Sequence, residues 1–158
     1  MRLLLDTTYL MPLAGIETDK FSKSDLRVLL SVKEFEFIAS PVSIIELKWI
    51  IISESKEKPV LKSRLRREYR FFLEFLRYSG LIKLTPLVDE RVDEEENRLL
   101  DLGVKDYFDR LIFSTALFYA DALLTEDSDL KKIWSRYKRY REAVDLYNWR
   151  ELKRILGL

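Results

Sequence analysis

Hydrophobic and polar positions follow two rhythms along this chain, short unbroken apolar runs and longer stretches with helical spacing. Arg2 to Leu5 is a short apolar run ending at Asp6, which predicts a buried strand. Thr7 to Leu13 opens a short helix or turn, and Ser24 to Val32 sets Leu26, Leu29 and Leu30 on one helical face. Glu36 to Ala39 predicts a second strand. Ser40-Pro41 then starts a helix, with Ser as cap and Pro in the first turn, running to about Ser53. Residues 54 to 79 read as a long charged helix, or a helix pair broken near Pro59. Leu61, Leu65, Tyr69, Phe72, Leu73 and Leu76 give it an apolar stripe.

Gly80 stops that arm, and Leu81 to Leu84 predicts a third strand. Asp89 to Leu102 is an acidic-fronted helix ending at Gly103, and its acidic stretch Asp89 to Glu96 reads as a solvated helix start. Asp106 to Tyr119 predicts a strongly apolar helix and Ala122 to Leu124 a fourth strand. A helix from Asp127 onward, a fifth strand within Ala143 to Leu146 and a terminal helix complete the pattern. Strands alternating with helices predict an α/β fold, a three-layer sandwich around a mainly parallel sheet of four to five strands. No repeat or linker interrupts it, so the expectation is one domain over residues 1–158, with a helical basic arm at about 54–79.

Ligands of such sheets bind beyond the C-terminal ends of the strands. Asp6 ends the first strand, and Thr125 to Asp129 follows the fourth. Glu46 and Asp109 lie in early turns of helices entering from that same edge. The topology therefore predicts that Asp6, Glu46, Asp109 and Asp127 meet. Composition narrows what they can do. The chain has no His and no Cys, which removes Ser-His and Cys-His triads, thiolate zinc sites and iron–sulfur ligation. Clustered carboxylates suit hard cations, Mg²⁺ or Mn²⁺, which lower the pKa of bound water. The expected chemistry is metal-assisted hydrolysis.

Charge changes the picture only locally. The 28 basic and 27 acidic residues nearly cancel but are segregated along the chain. Arg64, Arg67 and Arg70 in the arm, and Lys132 and Arg136 in a run that also holds Trp134, Tyr137 and Tyr140, are candidate RNA contacts. Cations interleaved with aromatics suit single-stranded nucleic acid; the alternative is a solvated face whose rings point into the core. The apolar start is too short for a secretory signal and is interrupted by Asp6, and no stretch reaches membrane-spanning length. A cytoplasmic protein without membrane contact is expected.

The segments LLLDTTYL, SIIELKW, DYFDRLIFSTAL and LLTEDSDL together resemble the successive motifs of the PIN domain, whose nucleases include the VapC toxins of toxin–antitoxin pairs. The ordered set is the specific part, above all D-x-L-I-x-x-T-A-L followed by an apolar strand and T-x-D-x-D. The resemblance implies a catalytic and metal-binding quartet at Asp6, Glu46, Asp109 and Asp127, with supporting hydroxyls at Thr8 and Thr125. It further implies Mg²⁺- or Mn²⁺-dependent endoribonuclease activity, a homodimer and an antitoxin protein as partner. A metal-activated water attacking in line would leave 5′-phosphate and 3′-hydroxyl ends.

Other readings stay open at this level. Asp106 fits a helix cap or a place beside the site, and Asp129 a cap or a peripheral position. The four acids alone do not separate RNA from DNA. A non-catalytic RNA-binding or assembly module of the same fold is the main alternative. An aspartyl-phosphate phosphotransferase is disfavoured, because Thr8 stands where its second Asp belongs.

Overall fold

Leu3, Leu4 and Leu5 are all fully buried, which is why the first strand, β1 (Arg2–Leu5), reads as an unbroken apolar run rather than an alternating one. The computed structural model describes all of residues 1–158. β1 is the central strand of five. It pairs with β2 (Glu36–Ala39) on one side and β4 (Ala122–Leu124) on the other, and β3 (Ile82–Leu84) and β5 (Asp145–Tyr147) form the edges. Every pairing is parallel, so the sheet is wholly rather than mainly parallel. The chain builds outward from β1 first to one side and then to the other, leaving a crevice where the direction reverses.

Successive side chains of a strand point to opposite faces, and β1 divides its leucines accordingly. Leu3 and Leu5 join a core with Phe37, Ala39, Ile82 and Leu124. Leu4 joins the other with Ile38, Leu123 and Leu146. The first core is covered by α1 (Thr7–Leu10), α2 (Lys23–Leu30), α3 (Pro41–Glu57), α4 (Lys62–Tyr78) and α9 (Trp149–Leu156). The second is covered by α5 (Glu90–Asp101), α6 (Tyr107–Tyr119), α7 (Ser128–Arg136) and α8 (Lys138–Ala143). The result is the three-layer α/β sandwich that the pattern predicts.

The charged arm is a helix pair. α3 continues to Glu57, past the expected end near Ser53, and a 3₁₀ turn over Pro59–Leu61 leads into α4. Leu65 and Phe72 of the arm are buried, and Leu61, Tyr69 and Leu76 pack partly against them, while Leu73 is exposed. Truncating a buried aromatic such as Phe72 to Ala costs about 3–5 kcal/mol, so α4 is anchored to its own domain. Gly15 lets it come close. Its φ of +79° is a left-handed conformation, and an added Cβ would stand 2.9 Å from Cγ of Glu68 on α4.

Packing decides two charged stretches here, the first in favour of the inward-pointing rings that were the alternative reading and the second against the solvated reading. The basic run near residues 131–141 is two helices meeting at Tyr137, and its rings turn inward. Tyr140 is buried, and Trp134 Nε1 donates to the Val144 carbonyl at 2.8 Å. The acidic stretch is not simply solvated either, because Glu95 and Glu96 of α5 are buried. Arg110 on α6 donates to Glu96 at 2.6 Å; Arg139 and Tyr140 donate to Glu95 at 2.6 and 2.7 Å. Buried carboxylates need such partners, and these come from distant segments.

Candidate active site

Three of the four acids are placed by helix starts at the C-terminal edge of the sheet. Asp6 follows β1 and caps α1, its Oδ1 accepting the Thr7 N–H at 2.7 Å. Asp127 caps α7, accepting the Leu130 N–H at 2.6 Å. Asp109 lies in the first turn of α6, whose cap is Asp106, accepting the Asp109 N–H at 3.0 Å. Glu46 comes from the second turn of α3, a helix begun by Ser40 capping the Val42 N–H with Pro41 in its first turn. All four line one pocket of about 240 Å³, together with Thr7, Thr8, Ile50 and Glu126.

No cation within 4 Å pairs with any of the four. Hydroxyls support two of them instead. Thr125 Oγ1 donates to Asp6 Oδ2 at 2.5 Å and accepts the Asp127 N–H at 3.1 Å, tying two of the acids together. Thr7 donates to the Glu46 carboxylate. The resemblance points to Thr8; Thr8 lines the pocket, but its neighbour Thr7 makes the bond.

Burial, with like charges adding, pushes three of the acids upward. Asp6 is raised to about 6 by burial, against the pull of Thr125 and Thr7. Glu46 is raised to about 7 by burial, with the Thr7 hydroxyl opposing and the Asp6 charge adding. Asp109 is raised to about 8 by burial and then by the charges of Asp127, Asp6, Asp106 and Glu46. Asp106 therefore acts on the pocket through its field without lining it.

The remaining predicted residues divide. Asp129 is largely exposed and paired with Lys132 at 2.8 Å, so its charge is spent away from the acidic pocket. Lys132 and Arg136, one turn apart on α7, line an adjoining groove of about 500 Å³ with Lys105, Asp106 and Asp129; Asp109 lines both spaces. Arg64, Arg67 and Arg70 are exposed on α4 and line neither. Glu126 is a pocket residue that motif reasoning missed. Its carboxylate accepts from Tyr9 Oη at 2.5 Å and the Trp149 N–H at 3.1 Å, fastening α9 beside the site. Its place beside Asp127, just past β4, was the available signal.

The donor set fits a hard divalent cation: oxygen only, negatively charged and open to solvent on one side. No three carboxylates stand in a ready-made ligand cage.

Comparison with known proteins bears on the whole frame. Among solved structures, VapBC2 from Rickettsia felis, bound to a promoter DNA fragment, superposes with a TM-score of 0.61 at 19% identity, covering 94% of this chain and 99% of that one. VapBC-1 from nontypeable Haemophilus influenzae gives 0.56 at 17% identity, covering 94% and 98%. FitAcB from Neisseria gonorrhoeae gives 0.51 at 18%, covering 93% and 97%. At such identities the likeness speaks for the fold. No curated protein matches the chain significantly. The PIN domain model, however, matches residues 3–134, a span that runs from the strand before Asp6 to the helix after Asp127. With that span covered, the chain belongs to the PIN domain family.

Proposed function

We propose that this protein is a divalent-metal-dependent endoribonuclease that hydrolyses RNA phosphodiesters at the pocket of Asp6, Glu46, Asp109 and Asp127. The observation that carries the reading is that four of the five carboxylates in one open pocket have no cation paired with them, only Glu126 being met by Lys20 at 3.7 Å. A fold gains nothing from such repulsion, whereas a site for a cation and a phosphate needs it.

Asp6 and Asp109 are the primary contacts for Mg²⁺ or Mn²⁺, with Glu46 and Asp127 orienting bound water or a second ion. Bound there, the metal would supply a water of lowered pKa and neutralise charge on a non-bridging phosphate oxygen. Thr125 fixes the rotamer of Asp6 and, through the Asp127 amide, the start of α7. Thr7 does the same for Glu46. Lys132 and Arg136 hold phosphates of the strand in the adjoining groove, next to Asp109. Asp106 adds negative field at the groove's edge, which draws a cation toward Asp109.

The partner reading is supported by the structural neighbours VapBC2 and VapBC-1, taken with the resemblance of the motifs to VapC toxins. This chain is proposed as the toxin half of a VapBC-type pair, acting in the cytoplasm. No helix is long and apolar enough to cross a membrane. An apolar groove of about 780 Å³ is lined by Val42, Ile45, Leu87, Val88, Tyr107 and Phe108 among others, and shares no residue with the acidic pocket. It is the proposed face for a second copy, giving a homodimer.

Cleavage of a long single-stranded RNA tests the proposal, with Mg²⁺ or Mn²⁺ for the wild type, Asp109→Asn and the wild type in EDTA. Cleavage lost in both controls, with 5′-phosphate ends, is expected. An inactive wild type that also fails to bind Mn²⁺ would sink the proposal in favour of a non-catalytic RNA-binding or assembly role.

A further inference from the structure

The arm holds a second cleft that the acidic site does not use. α3 and α4 wall a space of about 440 Å³, into which Lys48 and Lys56 of α3 and Lys62 and Arg66 of α4 all contribute. No acidic side chain lines it, although the chain carries 27. None of the four cations takes part in an ion pair. The one hydroxyl in the lining is spent: Ser55 Oγ already donates to the Ile51 carbonyl at 2.6 Å.

The cations are arranged rather than scattered. Lys62 and Arg66 are four residues apart and share a helical face, where like charges destabilise the helix. Lys48 is half-buried and held over the Tyr69 ring, 4.8 Å from its centroid, while Tyr69 Oη donates to the Ile44 carbonyl at 3.2 Å. Lys48 lies about 200° around α3 from Glu46, at about 100° per residue. The cleft therefore opens on the side of α3 away from the acidic pocket, and the two spaces share no residue.

We propose that this cleft is an anion site that takes closely spaced phosphate groups. Four positive charges around so small a space call for more than one negative charge. Phosphates offer several anionic oxygens within a few ångströms, whereas a carboxylate brings a single charge on its own backbone. Two sources have this chemistry: successive phosphodiesters of a nucleic-acid strand, and a free polyphosphate. The inference does not rest on nuclease activity, since it involves neither the four acids nor a metal.

The test is calorimetric titration of the full chain with inorganic triphosphate in EDTA, so that no metal bridges phosphate to the acidic pocket. A short single-stranded RNA is titrated in parallel by fluorescence anisotropy. The wild type is expected to bind triphosphate, and Lys62→Gln/Arg66→Gln to bind it about tenfold or more weakly, as losing two charge-assisted hydrogen bonds implies. Both positions are exposed, and thermal melts check the fold. Lys56→Gln, on the opposite wall, repeats the test should the double variant melt early. An equal loss of RNA affinity identifies a strand backbone as the ligand, and a loss for triphosphate alone identifies a free polyphosphate. No triphosphate binding by the wild type, or unchanged binding in both variants, overturns the proposal. Displacement of triphosphate by polyglutamate at matching affinity also overturns it, in favour of an acidic peptide. Absence of RNA cleavage in the earlier assay has no bearing on these outcomes.

Discussion

Two groups of carboxylates with buried members lie in this molecule, and they are built in opposite ways. Glu95 and Glu96 on α5 are 4% and 6% exposed and are met by Arg110, Arg139, Arg98 and Tyr140. Asp6, at 7% exposure, is buried to the same degree, yet it and its three neighbours are met by hydroxyls, backbone N–H groups and one another. In the first group every charge is answered within the chain, and the product is a tie between α5, α6 and α8. In the second the answer is left open. The difference separates acids whose charge is answered inside the fold from acids whose charge is not, which the proposed function leaves for a cation, and burial alone cannot make that distinction.

The sharpest way to break the comparison is to remove the cation from the paired group. Arg110 Nε donates to Glu96, and its Nη1 donates to the carbonyls of Val104 and Lys105, which lead into Asp106. Arg110→Ala leaves a buried carboxylate alone and two carbonyls without their donor. It is expected to lower unfolding stability by about 3–5 kcal/mol, read by urea denaturation at neutral pH. A change below about 1 kcal/mol, the range of an exposed ion pair, would mean that water already reaches Glu96.

Removing charge from the open group should do the reverse. Asp109 makes no hydrogen bond through its carboxylate that Asn would lose, and the charges of four other acids press on it. Asp109→Asn is therefore expected to raise the melting temperature of the metal-free protein at pH 8. About 2–4 °C is expected, the shift that roughly 1 kcal/mol gives in a chain of this size; partial solvent access keeps the effect well below what full burial would give. The same variant should lose the stabilisation that Mn²⁺ gives the wild type. A melting point lowered by the substitution would show that Asp109 is answered by a group inside the fold.

The pH dependence carries the same sign. A carboxyl raised in the folded state binds its proton more tightly there than in the unfolded chain. Its contribution to stability is complete below about pH 4, near the unfolded value, and is lost as pH rises through the folded one. Asp6, Glu46 and Asp109, raised to about 6, 7 and 8, should together make the metal-free protein less stable from about pH 5 to pH 8. Melts across that range measure it, and Asp109→Asn should flatten the upper end. A wild-type profile flat over this interval would deny the repulsion on which the contrast rests.

The open group was legible in the sequence because each of its acids sits at a locally marked place. Asp6 ends an apolar run, Asp127 follows another, and Glu46 and Asp109 come just after the helix starts at Ser40-Pro41 and Asp106. The absence of His and Cys left those acids as the available chemistry. The paired group was not legible. Glu96 finds Arg110 14 positions away, and Glu95 finds Arg139 and Tyr140 44 and 45 positions away, contacts that only the packing of α5 on α6 and α8 creates. The break at Tyr137 carried no Pro or Gly to announce it. Nor could spacing decide between Thr7 and Thr8, since the choice depends on how the four-residue α1 leaves β1.

That last choice gives the finest test. Thr7→Val keeps the shape of a side chain that is only 3% exposed and removes the hydroxyl that donates to Glu46. The stability change should be small, about 1 kcal/mol, the net worth of one hydrogen bond. The informative readout is elsewhere. The Thr7 hydroxyl favours the ionised form of Glu46 and opposes the burial that raises it. Without that bond Glu46 needs a higher pH to ionise, so the midpoint of Mn²⁺ binding against pH should move upward. Thr8→Val, whose hydroxyl makes no bond to any of the four acids, should leave the midpoint in place. Equal shifts in the two variants would mean that the pocket responds to lost polarity in general, and the separate role given to Thr7 would fall.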